Sequence, residues 1–323
     1  MMKFLVTGGG GFIGWRVVRN LLARGIPTVV ADWSVEPRVR ARLEREGRDL
    51  VTFSQCDVAE FTDVARCFRL HPDITHAIHL AYLMSAEVEA NPHLGARVNI
   101  LGMLNLFEAA VNQRLQRLVF TSSETVYGAS QAVYGGRPIK ETDYCAPRDH
   151  FFTYGVMKIL NEFMAEKYVQ RHGISIACAR PPVVFGHGRK RGAVLWAEQF
   201  FSLPAIGCPV ALPFSANSRD CWVYVEDCAE QLVRLALRLQ LAHFAYNSTG
   251  HAIRAADLAN VVRRWVPDAV MTFDESKPST PLVDDLDGTR LIEEIDFMPR
   301  PIEAGVLAHM NEARSEASLP PLG

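Results

Sequence analysis

The stretch KFLVTGGGGFIGWRVV, residues 3–18, decides the fold of this chain. It begins as a short apolar run that favours a β-strand, and Ile13, Val17 and Leu21 then recur at helical spacing. The glycine-rich turn TGxxGxxG joins the two. Because glycine has no Cβ, such a turn lets a pyrophosphate approach the backbone and the first N–H groups of the helix. The stretch predicts a strand, a dinucleotide-binding turn and a helix. The alternative is a flexible turn that holds no ligand.

An acidic residue supports the dinucleotide interpretation. Asp32 ends the second apolar run, 18 residues after Gly14. A carboxylate at this place can accept hydrogen bonds from both ribose hydroxyls of NAD, and it repels the 2′-phosphate of NADP. We therefore predict NAD as the cofactor, with Asp32 selecting it. In the alternative, Asp32 is a solvated cap of a strand end. Arg38 and Arg40 lie close enough along the chain to weaken the preference.

The order of the segments indicates the fold class. Helical spacing recurs over residues 61–70, 91–112 and 151–171. Apolar, strand-like runs alternate with the helical segments at residues 28–33, 50–58, 74–82, 117–128 and 174–186. Runs that are apolar nearly throughout are typical of parallel strands buried on both faces. We predict an α/β protein with a Rossmann-type, doubly wound parallel sheet.

The alternation weakens after residue 186, which suggests a second unit. We expect residues 1–186 to form an NAD-binding Rossmann domain, with a strand and a helix returning to it near residues 215–250. Residues 187–323 are then mainly a smaller C-terminal α/β lobe that binds the substrate. Residues 277–287 are rich in Pro, Ser and Asp and are predicted to be a loop. The last residues, 315–323, are expected to be frayed.

Composition limits the class of protein. The 323 residues carry a net charge of -2, which gives no basic footprint for nucleic acid. The 7 cysteines form no CxxC pair, so neither zinc nor a disulfide framework is indicated, and a reducing compartment is expected. No other pattern of ligands predicts a metal. No run approaches the roughly 18 apolar residues of a membrane span, and the N-terminal apolar segment is too short for a signal peptide. We expect a soluble, cytoplasmic protein.

Two side chains at helical spacing suggest the chemistry. Tyr154 and Lys158 form YxxxK, and the i, i+4 spacing places both on one face of a helix. A tyrosine with a pKa of about 10 is a poor base, and a nearby ammonium lowers that pKa. Ser123 follows a strand, where its hydroxyl can bond the substrate oxygen while Tyr154 moves the proton. The alternative for YxxxK is an ordinary surface pair on a helix.

Tyr82 and Met84 follow another strand and are expected to shape the substrate pocket.

Taken together, these motifs resemble the extended short-chain dehydrogenase/reductase superfamily and, within it, the NAD-dependent epimerase/dehydratase group. The resemblance covers roughly residues 1–236. It is carried by TGGGGFIG, Asp32, CDV, HLA, VNILGMLNLFEAA, SSETVYG, YxxxK, RPPVVFG and RDCWVYVEDCA. The set is specific for the superfamily and poorly specific for the substrate.

The resemblance implies roles for individual residues. Ser123 and Tyr154 act on the substrate, and Lys158 anchors the cofactor and tunes the pKa of Tyr154. The expected cofactor contacts are Gly8, Gly11, Phe12, Ile13, Gly14, Asp32, Asp57, Val58, Leu80, Ala81, Asn99, Tyr154, Lys158, Pro181 and Val183. As alternatives, Asn99 is an amide that only packs helices and Asp57 is a turn residue.

Departures from the family's pattern bear on the substrate. Glu124 is followed by Thr125, whereas sugar dehydratases of the family have an acidic pair there. Val183 stands where nucleotide-sugar members usually have Asn, while Arg219 matches a position that often contacts a substrate phosphate. A guanidinium also binds a carboxylate bidentately. The expected substrate contacts are Ser123, Glu124, Arg219, Tyr82 and Met84.

Each of these contacts has a structural alternative. Glu124 caps a loop, and Arg219 pairs with Asp220 or Asp227 as scaffold. The three cations of residues 189–191 either form a solvated face or draw an anionic substrate towards the cleft.

We expect an NAD-dependent oxidoreductase that acts on a secondary alcohol or ketone of a sugar-like or hydroxy-acid substrate. This substrate is expected to be a small molecule, and it is anionic if the cations of residues 189–191 or Arg219 bind it. The first alternative is an NAD-dependent sugar epimerase without net redox change. A dehydratase or a non-catalytic NAD-binding protein is a further alternative. By resemblance, we expect a homodimer formed through residues 91–112 and 151–171.

Overall fold

A computed structural model describes residues 2–192, 194–277 and 279–323. The strands are β1 (Phe4–Thr7), β2 (Thr28–Asp32), β3 (Val51–Gln55), β4 (His76–His79), β5 (Arg117–Thr121), β6 (Ile176–Arg180), β7 (Val183–Phe185), β8 (Val210–Leu212), β9 (Arg219–Tyr224), β10 (Ala245–Asn247), β11 (His251–Arg254) and β12 (Met271–Phe273). The helices are α1 (Gly14–Ala23), α2 (Pro37–Gly47), α3 (Phe61–Leu70), α4 (Ser85–Ala90), α5 (Pro92–Gly95), α6 (Gly102–Gln113), α7 (Thr153–His172), α8 (Trp196–Ala205), α9 (Val225–Leu237), α10 (Ala255–Trp265), α11 (Thr289–Ile295) and α12 (Ile302–Glu316).

Seven parallel strands form the central sheet, in the order β3-β2-β1-β4-β5-β6-β10. The chain runs outward from β1 in one direction through β2 and β3, and then crosses over to β4 and continues in the other direction. The point where the order reverses therefore lies between β1 and β4. In open α/β sheets, ligands bind outside the carboxyl ends of the strands at such a point. The predicted Rossmann-type sheet is confirmed.

The central strand β1 separates two apolar layers. Phe4 and Val6 belong to the layer that contains α1 and α9, while Leu5 belongs to the layer that contains α3, α6 and α7. Successive side chains of a strand point to opposite faces, so a strand buried on both faces must be apolar at every position. This explains why the inner strands β1 and β2 are apolar nearly throughout, whereas the edge strand β3, with the sequence VTFSQ, carries polar and partly exposed residues.

One helical segment is long and apolar enough to cross a membrane by length and composition. It runs from Pro92 to Gln113 with a mean hydropathy of 1.2, and 50% of its apolar window is buried inside the protein. It comprises α5, a π-helical segment (Ala96–Leu101) and α6. Because core helices of folded domains pass the same test, this property assigns no membrane span.

The later part of the chain builds two small sheets beside the large one. One has the order β11-β9-β7, and the other pairs β12 with β8. Trp222 of β9 is almost fully buried and packs on Phe185, Phe200 and Phe201. Strand β10 returns to the large sheet, and α9 packs on α1. The division of the chain at residue 186 into two functional lobes stays a prediction.

The C-terminal tail differs from expectation. Asn311 accepts a hydrogen bond from the N–H of Leu322 at 2.7 Å and donates one to its carbonyl at 3.2 Å. Arg314 donates to the carbonyl of Pro320 at 2.5 Å. The prediction of a frayed tail is therefore wrong, because side chains of α12 hold the residues that follow it.

Candidate active site

The glycine-rich turn is closed tightly at two positions. Gly8 has a φ of +68°, and a Cβ placed on it would lie 2.6 Å from the backbone nitrogen of Ala81. A Cβ on Gly14 would lie only 2.0 Å from the carbonyl oxygen of Gly8. The turn therefore has this shape only with glycine at both places, and its last glycine is the first residue of α1. Backbone N–H groups and the positive end of the helix dipole are thus available to a phosphate.

This turn lies in an open cleft of about 1670 Å³ at the carboxyl ends of the large sheet. Most of the site residues predicted from the sequence line the cleft. They are Gly8, Gly11, Phe12, Ile13, Gly14, Asp32, Asp57, Val58, Leu80, Ala81, Tyr82, Met84, Ser123, Glu124, Tyr154, Lys158, Pro181 and Val183. Ligand pockets for drug-sized molecules span about 300–1,000 Å³, so this cleft has room for a dinucleotide and a small substrate together.

The adenosine end of the cleft fits NAD. Asp32 accepts a hydrogen bond from the N–H of Gly10 at 2.9 Å and another from the N–H of Ser34 at 3.1 Å. Burial raises the pKa of Asp32, and these backbone hydrogen bonds oppose the rise. Asp57 accepts from the N–H of Ala59 at 2.9 Å, as a turn residue does. Glycines, a helix N-terminus and a strand-end carboxylate form the donor and acceptor set that a dinucleotide needs.

Replacing Asp32 by Ala is expected to relax selectivity for NAD over NADP. The variant loses a carboxylate that repels a 2′-phosphate and accepts ribose hydroxyls, so its NAD affinity should fall by about 10-fold or more. Asp32→Asn is the matched comparison, because it removes the charge and keeps one carbonyl oxygen, which can replace one of the two carboxylate oxygens that accept from Gly10 and Ser34. Dissociation constants for both cofactors, obtained by fluorescence titration, measure the effect. Unchanged selectivity in both variants would remove Asp32 from the cofactor site.

The other end of the cleft holds the YxxxK pair, on the first two turns of α7. Lys158 is 1% exposed and donates from Nζ to the carbonyl of Thr121 at 2.6 Å. Its Nζ also lies 3.3 Å from the centre of the Tyr82 ring. The Tyr82 hydroxyl accepts a hydrogen bond from Asn161 at 3.1 Å, which fixes the ring. Burial lowers the pKa of Lys158 to about 7. The Tyr82 ring thus contacts the Lys158 ammonium from within the cleft and helps to fix its position.

Tyr154 lies beside Lys158 and Ser123. Its ring centre is 5.3 Å from the Lys158 ammonium. Burial raises the pKa of the Tyr154 hydroxyl, while the charge of Arg189 and a hydrogen bond with Ser123 oppose this rise. Ser123 also accepts a hydrogen bond from the N–H of Thr125 at 3.2 Å. The three predicted catalytic residues therefore meet at one end of the cleft, and Arg189 is an additional cation that acts on the tyrosine.

Glu124 is a buried acid in the same region. It is 4% exposed, and within the described residues its Oε2 has no hydrogen-bond partner. Burial and the nearby charge of Asp220 raise the pKa of Glu124 well above its ordinary value, and the charge of Arg189 opposes them. Burial likewise raises the pKa of Asp220 to about 7, although the hydroxyl of Thr280 donates to its carboxylate. Both carboxyl groups therefore tend to keep a proton.

Replacing Asp220 by Asn is expected to stabilise the fold in a pH-dependent way. The pKa of Asp220 is raised in the folded state, so folding favours its protonated form. Stability is therefore lost as the pH rises from the unfolded pKa, near 4, through about 7. The neutral amide escapes this loss, so at about pH 8 the variant should gain roughly 1–3 kcal/mol in free energy of unfolding relative to its difference at about pH 4. Urea unfolding at both pH values measures this gain. An equal difference at the two pH values would contradict the account.

Two predicted site residues do not line the cleft. Asn99 is fully buried, and its amide accepts from the N–H of Leu83 at 2.8 Å and donates to the Leu83 carbonyl at 3.0 Å. It thereby orders the loop after β4, which does line the cleft. Arg219 is paired with Asp284 at 2.9 Å and Asp285 at 2.7 Å beside a separate cavity of about 250 Å³.

The scaffold alternative for Arg219 named the wrong partners. Of the two aspartates it proposed, Asp227 pairs with Arg300 at 2.9 Å, and Asp220 accepts from Thr280. Arg219 instead holds Asp284 and Asp285, which lie in the part of the chain predicted to be a loop.

The loop of residues 186–192 lines the cleft and contributes a residue that the sequence analysis did not single out. His187 pairs with Glu316 at 2.7 Å, and Lys190 pairs with Glu36 at 3.0 Å. Between them Arg189 turns inward and donates to the carbonyl of Val184 at 2.7 Å. The run of three cations was visible in the sequence. Which of them faces inward depends on partners far away along the chain.

A cluster of possible metal ligands anchors the same loop. His187, Glu198 and His309 bring ligand atoms within 4.8 Å of one another. The Ser202 hydroxyl lies among them and bonds all three, at 3.1 Å, 2.5 Å and 2.8 Å respectively. The hydroxyl thus occupies the centre of the group, which explains the cluster as a hydrogen-bond network.

Comparisons with known proteins agree with this geometry. The model of the NAD dependent epimerase/dehydratase family matches residues 4–247. Short-chain dehydrogenase/reductase family 42E member 1 from Macaca fascicularis is 30% identical over 198 residues, which are 58% of this chain and 47% of that protein. Mitochondrial L-threonine 3-dehydrogenase from Bos taurus is 26% identical over 277 residues, which are 84% of this chain and 70% of that protein.

A solved structure of an epimerase has the same fold as this chain. UDP-glucose 4-epimerase from Thermus thermophilus, in complex with NAD, superposes with a TM-score of 0.76 and 25% identity. The superposition covers 97% of this chain and 99% of that one. The similar proteins thus include both an epimerase and a dehydrogenase, so they define fold and cofactor and leave the substrate open.

Proposed function

The chain belongs to the NAD dependent epimerase/dehydratase family, and on that premise we propose that it is a dehydrogenase that oxidises a secondary alcohol of a small hydroxy-acid or sugar-like substrate. It is an enzyme of the extended short-chain dehydrogenase/reductase type, and NAD is its cofactor. The resemblance stated from the sequence is therefore confirmed. The substrate and the catalytic residues are our proposal.

This proposal rests on the observation that Ser123, Tyr154 and Lys158 lie together at one end of the cleft. When bound, NAD supplies the acceptor for a hydride from the substrate carbon. Tyr154, as phenolate, takes the proton from the substrate hydroxyl. Ser123 donates a hydrogen bond to the same oxygen. The charge of Arg189 and the hydrogen bond with Ser123 oppose the rise that burial causes in the pKa of Tyr154. Lys158, whose Nζ lies 5.3 Å from the centre of the Tyr154 ring, adds positive charge when it is protonated.

Two features favour a small substrate over a nucleotide sugar. Val183, where nucleotide-sugar members usually have Asn, is 2% exposed and has no polar group to offer. Arg219, the expected phosphate contact, is paired with Asp284 and Asp285. A nucleotide diphosphate would thus lose two of its expected contacts. Thr125 follows Glu124 at the position where the family's sugar dehydratases have a second acidic residue. The missing acid disfavours a reaction that eliminates water.

Net redox change separates dehydrogenase from epimerase. The purified enzyme is mixed with NAD and a panel of hydroxy acids, polyols and sugars, and NADH formation is followed by absorbance. A dehydrogenase forms one NADH for each ketone produced. An epimerase inverts a sugar centre without accumulating NADH, and a non-catalytic binder does neither. Stereochemical inversion without NADH across the panel would overturn the proposal in favour of the epimerase.

We also propose that the enzyme is a homodimer. Val156, Leu160 and Phe163 are exposed on one face of α7, and Leu101 is exposed on the π-helical segment. Their spacing forms an apolar stripe, and such a stripe is suited to an interface between two copies. Sedimentation equilibrium should give twice the mass of the 36.0 kDa chain, and Phe163→Glu should shift it towards the monomer. A wild-type protein that stays monomeric at micromolar concentration would exclude this interface.

The cytoplasmic location of the protein stays a prediction.

A further inference from the structure

We propose that Arg189 is the receptor for a substrate carboxylate, so that the enzyme acts on hydroxy acids. This inference rests on the proposed oxidoreductase function and narrows its substrate class. It assigns the contact with the substrate anion to a residue of the loop 186–192 that lines the cleft, in place of Arg219.

The first argument comes from the pairing of charges in the cleft. Among the described residues, the basic side chains that line it form ion pairs with carboxylates, with two exceptions. The paired ones are Arg16, Arg38, Arg42, Arg45, His187, Lys190 and Arg191. The exceptions are Lys158, which is bound to the Thr121 carbonyl and the Tyr82 ring, and Arg189. Lys158 already has a role beside Tyr154, so Arg189 is the cation that remains for an anion.

The second argument is the way Arg189 is held. Its Nη1 donates to the Val184 carbonyl at 2.7 Å, and its Nε makes a longer contact of 3.3 Å with the Arg191 carbonyl. These bonds orient the guanidinium and leave Nη2 without a hydrogen-bond partner among the described residues. Burial lowers the pKa of Arg189 to about 10, so the group stays charged at neutral pH. A half-buried charge without a counter-ion is costly, and a bound carboxylate would relieve that cost.

The third argument concerns Glu124, whose carboxyl group lies close enough to Arg189 to act on it when ionised. Its buried position favours the neutral carboxylic acid, and no ion pair between the two residues is present in the described structure. The charge of Arg189 acts on the Tyr154 hydroxyl as well as on Glu124. A carboxylate on Arg189 would therefore lie close to the oxygen whose proton Tyr154 takes. Protonated Glu124, the form that its burial favours, would lie beside this carboxylate without repulsion.

A phosphate of NAD is the competing occupant. The Arg189 guanidinium carbon lies 5.8 Å from the centre of the Phe12 ring, in the glycine-rich turn. A cofactor contact would affect NAD affinity, whereas a substrate contact would affect the discrimination between charged and neutral substrates. The experiment must measure both.

The test compares the binding of a carboxylate with that of its neutral amide, without turnover. The enzyme is saturated with NAD, and acetoacetate or acetoacetamide is titrated by calorimetry. Both are ketones, so neither can be oxidised by the NAD complex. A guanidinium–carboxylate contact should favour acetoacetate by about 10- to 100-fold. Arg189→Gln should abolish this preference, and Arg189→Lys should keep only part of it, because an ammonium cannot form the bidentate contact.

Lys190→Gln is the matched control, since it removes one positive charge from the same loop at a residue paired with Glu36. It should keep the preference for acetoacetate. Equal binding of the two probes by the wild type, failure of both to bind, or a preference that survives Arg189→Gln would overturn the inference. A loss of NAD affinity in Arg189→Gln with the preference intact would assign Arg189 to the cofactor phosphate.

The two proposals fail separately. A wild-type enzyme that prefers acetoacetate but forms no NADH with any alcohol would overturn the proposed function alone. An enzyme that forms NADH but does not distinguish the acid from the amide would overturn the carboxylate inference alone.

Discussion

Turnover should fall by about 10²- to 10⁴-fold when Tyr154 is replaced by Phe, while NAD affinity stays within about twofold of the wild type. The substitution removes only the hydroxyl, which is the group that takes the substrate proton. The ring keeps its contact with Tyr82 at a centroid distance of 5.4 Å, so the local packing is preserved. Turnover is measured as NADH formation with the best alcohol of the panel, and NAD binding is measured by calorimetry.

The control for this variant is Tyr144→Phe. Tyr144 is 89% exposed and does not line the cleft, so the same chemical change there should leave turnover unaltered. A near-normal rate for Tyr154→Phe would refute the phenolate role. A loss of NAD binding in that variant would instead show that the hydroxyl holds the cofactor.

Replacing Gly14 by Ala should cost about 3 kcal/mol or more in free energy of unfolding, and it should weaken NAD binding by about 100-fold or more. The added Cβ would lie 2.0 Å from the Gly8 carbonyl oxygen, so the turn and the start of α1 must move apart. The same Cβ would also lie 2.8 Å from the Cα of Gly9 and 2.9 Å from the carbonyl carbon of Gly8. The backbone of Gly14 is outside the left-handed region, so these contacts account for the cost. Urea unfolding and NAD titration measure the two effects.

Gly11→Ala provides the graded control. Its Cβ would lie 3.1 Å from the same Gly8 oxygen, a contact that a shift of a few tenths of an ångström relieves. We expect it to be clearly more stable than Gly14→Ala. If Gly14→Ala unfolds with the wild-type free energy, the turn is not closed as described and the cofactor cradle is incorrect.

Local spacing explains what the sequence could predict. The strand, turn and helix around Gly8 and Gly14 follow from glycine geometry and from apolar periodicity within a few residues. Tyr154 and Lys158 are one helical turn apart, so their shared face is a property of the helix itself. The parallel sheet follows in the same way from central strands that are apolar nearly throughout, such as β1 and β2.

Long-range contacts explain what the sequence could not predict. Arg219 is neutralised by aspartates more than sixty positions away, at residues 284 and 285. The inward direction of Arg189 depends on a loop that Glu36 and Glu316 hold from opposite ends of the chain. The tail that holds Glu316 was itself expected to be frayed. No motif connects such positions, so only the folded structure brings them together.

The measurement that tests the central claim most directly needs no substrate. The purified enzyme is denatured, and any nicotinamide nucleotide released is identified and quantified per chain. A dehydrogenase must exchange its cofactor in each turnover, so we predict a largely empty site that takes up added NAD reversibly. Near-stoichiometric NAD or NADH retained through purification would contradict this account, because a cofactor that stays bound is what an epimerase requires.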